Sequence, residues 1–151
     1  MYILMLVPVL LVIFYQDLKS RAVSLMVFVS LLAAIMLVRF LVDAPFIAVG
    51  FLINLAYLTL LMIILLAYFR IRFRSWAILK QGLGIGDVVF WLIITLLLSP
   101  QVFLFWFNAS LILSLISHYV LRRFSWYGEA TKIPLAGLQA VFLIPFLFLN
   151  P

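Results

Sequence analysis

The feature that most constrains the fold is a series of six apolar runs, each close to the length that crosses a membrane, separated by short polar turns. An α-helix needs about 20 apolar residues to cross a hydrocarbon core roughly 30 Å thick. Because 70% of the 151 residues are hydrophobic and 9% are charged, a soluble domain of this size could not hide the apolar surface. We therefore predict an all-α integral membrane protein, a six-transmembrane-helix bundle in a single domain over residues 1–151. The predicted spans are 1–15, 22–42, 45–69, 83–98, 102–121 and 133–149.

The basic residues predict the orientation of these spans. If successive turns alternate between the two sides, all but one of the ten Lys and Arg residues fall on one side, and only Arg39 falls on the other. The positive-inside rule makes the basic side cytoplasmic, so we expect an extracytoplasmic N-terminus and C-terminus. Because these cations cluster between apolar runs, the expected partner of the net charge of +6 is a bilayer with anionic headgroups, and no nucleic acid.

Two of the four acidic residues are predicted at the cytoplasmic face, where Asp17 ends the first span and Asp87 begins the fourth. A carboxylate near hydrocarbon costs about 2.5 to 3.5 kcal/mol, so such a residue indicates a functional site with a partner. Glycines at positions 82, 84 and 86 precede Asp87. Their alternation indicates a backbone that bends, or that allows close approach, beside this acid.

Two carboxylates held close together cannot both ionise, so one keeps a proton while the other acts as a base. This is what an aspartyl protease requires of its pair of acids. Three other interpretations stay open: Asp17 pairs with Lys19 and Arg21 in a loop, Asp87 caps the fourth helix, or the two acids form the cation site of a small ion- or proton-coupled carrier. The absence of cysteine excludes disulfides, Cys-ligated zinc and thiol catalysis.

Three motifs in the chain resemble those of the type IV prepilin peptidases, which are membrane aspartyl proteases of the GxGD type. Gly84-Ile85-Gly86-Asp87 matches the GxGD signature. The string from Asp17 to Arg21 is similar to the family's first aspartate motif, with basic residues two and four positions after the acid. The string from Lys132 to Leu138 resembles the start of the family's last helix.

The resemblance implies that Asp17 and Asp87 are the catalytic aspartates, that Gly84 and Gly86 shape the backbone beside the second one, and that Lys19 and Arg21 belong to the first motif. It implies an endopeptidase of a bacterial or archaeal inner membrane, acting in type IV pilus assembly or secretion. The substrates would be prepilin-like membrane proteins, cut at the cytoplasmic face to remove a basic leader. No metal or cofactor is implied. The cysteine-bearing segment that larger members use for N-methylation is missing, so we expect peptidase activity without N-methyltransferase activity.

The chain departs from the family pattern at Ser24 and Leu25, where the family usually has Pro-Asn, and at Val89, where it usually has Lys. Because both acids remain, these departures affect the expected substrate more than the expected reaction. A catalytically inactive relative that serves as an assembly partner is a separate alternative. Among the other side chains, Asn54, Asn108 and Gln139 are expected to form hydrogen bonds between helices. Trp76, Trp106 and Trp126 are expected at membrane interfaces.

Overall fold

The computed structural model describes residues 2–20, 22–42, 48–73, 84–123 and 134–149, and within these ranges every regular element is a helix. A 3-10 turn, Tyr2–Met5, leads into the first α-helix. The described α-helices are α1 (Leu6–Ser20), α2 (Leu25–Leu41), α3 (Ala48–Phe73), α4 (Ile85–Ile94), α5 (Pro100–Arg123) and α6 (Leu135–Leu149). The prediction of an all-helical fold is confirmed for these residues.

Two of the helices are long and apolar enough to cross a membrane. The segments that meet this criterion are Ala48–Arg72 in α3 and Pro100–Val120 in α5. Helices α2, α4 and α6 are apolar but shorter. Large apolar side chains are exposed along most of the helices, with Leu25, Ile71 and Tyr119 each more than two-thirds exposed. The outer surface is therefore as apolar as the sequence predicts.

Helix α6 lies at the centre of the packing. It packs most extensively against α1 and also contacts α4 and α5, while α2 packs on α1 and α4, and α3 packs on α5. The first half of α6 is continuously buried from Ala136 to Ala140. Small residues in this stretch allow a neighbouring helix backbone to approach closely, as is common where helices associate in membranes.

Aromatic side chains of α4 and α5 form much of the core. The Trp91 ring lies edge-on to Phe107, with 5.1 Å between the centroids, and Phe90 meets Trp106 at 6.3 Å. Trp106 is fully buried. Its ring packs between α5 and α4. Trp76 and Trp126 lie outside the described residues, and the location of the three tryptophans at membrane interfaces stays a prediction.

Helix ends gather at two opposite places in the structure. The end of α1 meets the start of α4 and the start of α6 at one end. At the other end, Arg39 near the end of α2 and Asn54 in α3 reach the carbonyls that follow α4. A cavity of about 230 Å³ opens there, lined by Arg39, Gly50, Phe51 and residues 95–100.

Helix α4 is shorter than the predicted span 83–98, because it ends at Ile94 and is followed by a turn through Leu97. The carbonyls of the turn that follows α4 are satisfied from other helices. The Arg39 Nε–H donates to Leu96 O at 2.9 Å, and the Asn54 Nδ2 amine donates to Thr95 O and Leu98 O at 3.2 and 2.9 Å. Hydropathy alone extends the helix because the turn residues Leu96 to Leu98 are themselves apolar.

Helix α1 extends further than the predicted span 1–15, since the residues expected to form a turn continue the helix to Ser20. The Ser20 hydroxyl donates to Gln16 O at 2.8 Å, and the Gln16 side-chain oxygen accepts the N–H of Ser24 at 3.0 Å. These bonds hold the end of α1 against the start of α2. Asp17 consequently lies inside the last turns of a helix and not in a loop.

Candidate functional site

Asp17 is a buried carboxylate near the end of α1, with 6% of its surface exposed. Its Oδ2 atom accepts a hydrogen bond of 2.7 Å from the backbone N–H of Gly137, in the first turn of α6. The interpretation of Asp17 as a loop residue beside Lys19 and Arg21 does not fit this burial. Its carboxylate faces the first turn of α6.

Asp87 lies in the first turn of α4 and is also buried, with 8% exposed. Its Oδ2 atom accepts the N–H of Gly84, the N-cap residue of α4, at 3.0 Å. This is one half of a capping box, so the predicted role of Asp87 at the start of its own helix is present in the structure. Its other oxygen, Oδ1, accepts the N–H of Ala136 at 2.8 Å. Asp87 therefore joins the start of α4 to the start of α6.

The two aspartates meet at the N-terminus of α6. Ala136 and Gly137 are successive residues, and each donates its N–H to one of the two carboxylates. The first N–H groups of a helix have no partner within the helix, and the helix dipole makes this end favourable for negative charge. Because the two N–H donors are consecutive, the two carboxylates that they bind lie near each other. The structure thus brings together the two acids that the sequence predicts as a pair.

A glycine at position 137 is what allows this approach. A Cβ atom built on Gly137 would lie 2.9 Å from the Asp17 Cβ and 3.3 Å from the Phe14 Cα. Both of these atoms are fixed to the α1 backbone, so no side-chain rotation could relieve the contact. Helix α1 can therefore sit against α6, with Asp17 at the Gly137 N–H, only where residue 137 lacks a side chain.

The other predicted site residues differ in how close they lie to the two carboxylates. A Cβ on Gly84 would lie 3.1 Å from Asp87 Oδ2, which puts Gly84 in direct contact with the carboxylate, whereas a Cβ on Gly86 would meet only the Phe28 ring at 3.6 Å. Lys19 is exposed, and its ammonium lies 5.6 Å from the Tyr15 ring centroid, one turn back on α1. Arg21 lies outside the described residues.

The departures from the family pattern have local structural consequences. Ser24 donates its N–H to the Gln16 side chain, a bond that a proline in its place could not make. Val89 is partly buried against the core of the bundle, so the position carries an apolar contact instead of a cation. Both acids keep their hydrogen bonds despite these differences.

Three polar residues expected to link helices do so. Asn54 binds the carbonyls after α4, and Asn108 exchanges hydrogen bonds with the Tyr57 hydroxyl on α3. The Gln139 side-chain oxygen accepts the Trp91 Nε1–H, which joins α6 to α4. These bonds confirm the prediction for all three residues.

The sequence did not identify Ala136 and Gly137 as part of the site. Their contribution is made by backbone N–H groups, which every residue except proline carries, so no side-chain pattern could point to them. The only signal in the sequence was that both residues lie in the string from Lys132 to Leu138, at the predicted start of the last helix. Which N–H groups of that helix face the acids depends on how α1 and α4 pack on α6.

Within the described ranges, no group of three or more His, Cys, Asp or Glu side chains is arranged to hold a metal ion. Comparison with known proteins adds no relative: no protein-family model, curated protein or solved structure matches this chain. The site is therefore interpreted from its own geometry, together with the motif resemblance.

Proposed function

We propose that this protein is a multi-pass membrane aspartyl endopeptidase of the prepilin peptidase kind, with Asp17 and Asp87 as its two acids. The proposal depends on one observation above all. Two carboxylates from distant parts of the chain are buried together and accept hydrogen bonds from consecutive N–H groups at one helix end. A buried acid pair is the arrangement that general acid–base hydrolysis of a peptide requires.

The reaction that such a pair can perform is the addition of water to a peptide bond. The ionised carboxylate removes a proton from water as the water oxygen bonds to the peptide carbonyl carbon. The protonated carboxyl group stabilises the oxyanion that forms. The C–N bond then breaks, and the leaving nitrogen takes a proton to become the new N-terminus. Neither step needs a metal or an organic cofactor, in agreement with the resemblance.

A carrier that binds a cation between Asp17 and Asp87 fits the geometry less well. Both oxygens of Asp87 and one oxygen of Asp17 accept backbone N–H groups. Two of these three donors belong to the N-terminus of α6, where the helix dipole opposes a bound cation. The same N–H donors stabilise the ionised carboxylate that acts as the base.

The clustering of helix ends supports the proposed arrangement in the membrane. The ends that carry the acids lie together, opposite the ends around Arg39, as expected for six spans that alternate in direction. We propose that the end with the acids faces the cytoplasm of a bacterial or archaeal cell. There, anionic headgroups would neutralise the basic turns, and the basic leader of a prepilin-like substrate could approach.

Co-expression with a candidate prepilin, in cells that lack other such peptidases, tests the proposal. Wild-type protein should convert the prepilin to a shorter form on a gel, and Asp17→Asn and Asp87→Asn should each abolish the conversion. Asp43→Asn is the matched control, because it makes the same acid-to-amide change between the predicted spans 22–42 and 45–69, on the side opposite the basic turns, and it should cleave like wild type. N-terminal sequencing of the product should show no methyl group.

The alternatives give different results in this experiment. Unchanged cleavage by either site variant would remove that residue from the pair. Failure of the wild-type protein on several prepilins, with the protein present in the membrane at normal amounts, would favour an inactive relative that assists assembly.

A further inference from the structure

The hydrogen bond between Trp91 on α4 and Gln139 on α6 lies one helical turn beyond the two carboxylates. Both side chains are almost fully buried, with 2% of Trp91 and none of Gln139 exposed. An indole N–H can only donate, so it is the oxygen of the Gln139 amide that must face Trp91. The bond therefore fixes the orientation of the amide as well as the position of the ring.

This bond and the Asp87–Ala136 bond together set the register between α4 and α6. Asp87 and Trp91 are four residues apart and share one side of α4. Ala136 and Gln139 are three residues apart and share one side of α6. The two helices are thus joined at two points separated by about one turn. A slide or rotation of α4 against α6 would break both bonds.

Packing alone does not account for a glutamine at position 139. Its Nε2 group is buried and has no hydrogen-bond acceptor among the described residues. A buried amine without a partner is destabilising, and an apolar side chain of similar size would fill the same space without that penalty. What glutamine offers and an apolar side chain does not is the amide oxygen that accepts the Trp91 N–H. That bond specifies the register between α4 and α6.

We infer that Gln139 is a positioning residue, which acts through Trp91 to hold Asp87 at the Ala136 N–H and so beside Asp17. The inference rests on the proposed peptidase function, and it assigns a role to a pair that lies outside the two matched aspartate motifs. A shift of about 1 Å in a reacting group can lower a rate about a hundredfold, so a register bond one turn away can control the reaction.

The test uses the purified full-length protein in lipid nanodiscs, with Gln139→Met, Trp91→Phe and the double variant. Methionine keeps the volume of residue 139 but has no amide oxygen, and phenylalanine keeps a ring against Phe107 but has no N–H. We expect each single variant to lower kcat about ten- to a hundredfold with KM within about twofold. The double variant should lose no more than the singles, because both changes remove the same bond.

Two further measurements separate positioning from a purely structural role. The pH profile of kcat should change in Gln139→Met, since the profile reports on the pair of acids. Ser110→Ala is the matched control: it also removes a buried side-chain hydrogen bond, but one made within α5, and it should keep the wild-type profile. A Gln139→Met protein that only melts earlier, with kcat per folded molecule and pH profile unchanged, would overturn the inference. Losses that multiply in the double variant would also overturn it.

A readout without substrate keeps this inference distinct from the proposed function. Aspartate labelled with ¹³C at the carboxyl group allows Asp17 and Asp87 to be titrated by NMR. If wild type cuts no prepilin but Gln139→Met changes the titration of this pair, the positioning role stands and the peptidase proposal fails. If wild type cuts prepilin and Gln139→Met leaves both titration and kcat unchanged, the positioning role fails alone.

Discussion

A methyl group on Gly137 would lie 2.9 Å from the Asp17 Cβ, closer than two non-bonded carbon atoms normally come. Gly137 lies in the first turn of α6, against the last turns of α1, and its N–H donates to the carboxylate of the same aspartate. Steric fit and hydrogen bonding therefore depend on one another at this point. Changes at residue 137 should disturb the fold and the site together.

Gly137→Ala should push α1 away from α6 and weaken the hydrogen bond to Asp17. Overpacking of this kind costs about 1 to 3 kcal/mol, and the displaced carboxylate should lower cleavage at least tenfold. Thermal unfolding in detergent and the prepilin gel assay measure the two effects. For stability, the matched control is Gly86→Ala, whose Cβ would meet the Phe28 ring at an ordinary 3.6 Å. A Gly137→Ala protein as stable and as active as wild type would show that the close packing is not required.

Gly84→Ala should affect activity more than stability. The added Cβ would lie 3.1 Å from Asp87 Oδ2, so the carboxylate must move by a few tenths of an ångström. That movement strains the bonds to the Gly84 and Ala136 N–H groups, and we expect cleavage to fall severalfold with little change in melting temperature. Quantifying processed and unprocessed prepilin at equal protein levels checks this. Full activity would mean that Asp87 tolerates displacement.

Asn54→Leu should destabilise the end of α4, because it leaves the carbonyls of Thr95 and Leu98 without this donor. A buried polar group that loses its partner costs about 1 to 3 kcal/mol. Asn108→Leu is the matched comparison, since Asn108 is exposed and its bond to Tyr57 should be worth only about 0.6 kcal/mol. Equal losses of stability in the two variants would contradict this explanation of how α4 ends.

The proposed orientation can be measured with single cysteines, because the chain has none of its own. Lys19→Cys and Lys132→Cys should react with a membrane-impermeant maleimide only when the cytoplasmic side is open to the reagent. Gln101→Cys should react from the outside of intact cells. Labelling of all three residues from the same side would contradict six alternating spans.

The sequence alone predicted the all-helical fold, since apolar runs of near membrane length leave few alternatives to a helix. It also led to the prediction that Asp17 and Asp87 form a pair, because both acids fall at the same predicted face and their motifs resemble those of the prepilin peptidases. It could not predict that α4 stops at Ile94, because the donors that satisfy the carbonyls of the turn after it, Leu96 O and Thr95 O, come from α2 and α3.

What only the tertiary structure decided is how the two acids are held. Helix α6 lies between the helices that carry them and donates one N–H to each, from Ala136 and Gly137. Backbone N–H groups are nearly the same in every sequence, so their use depends on the packing of three helices and not on local pattern. Local sequence motifs were thus enough to identify the two acids, whereas the positions of their carboxylates were determined by contacts between distant parts of the chain.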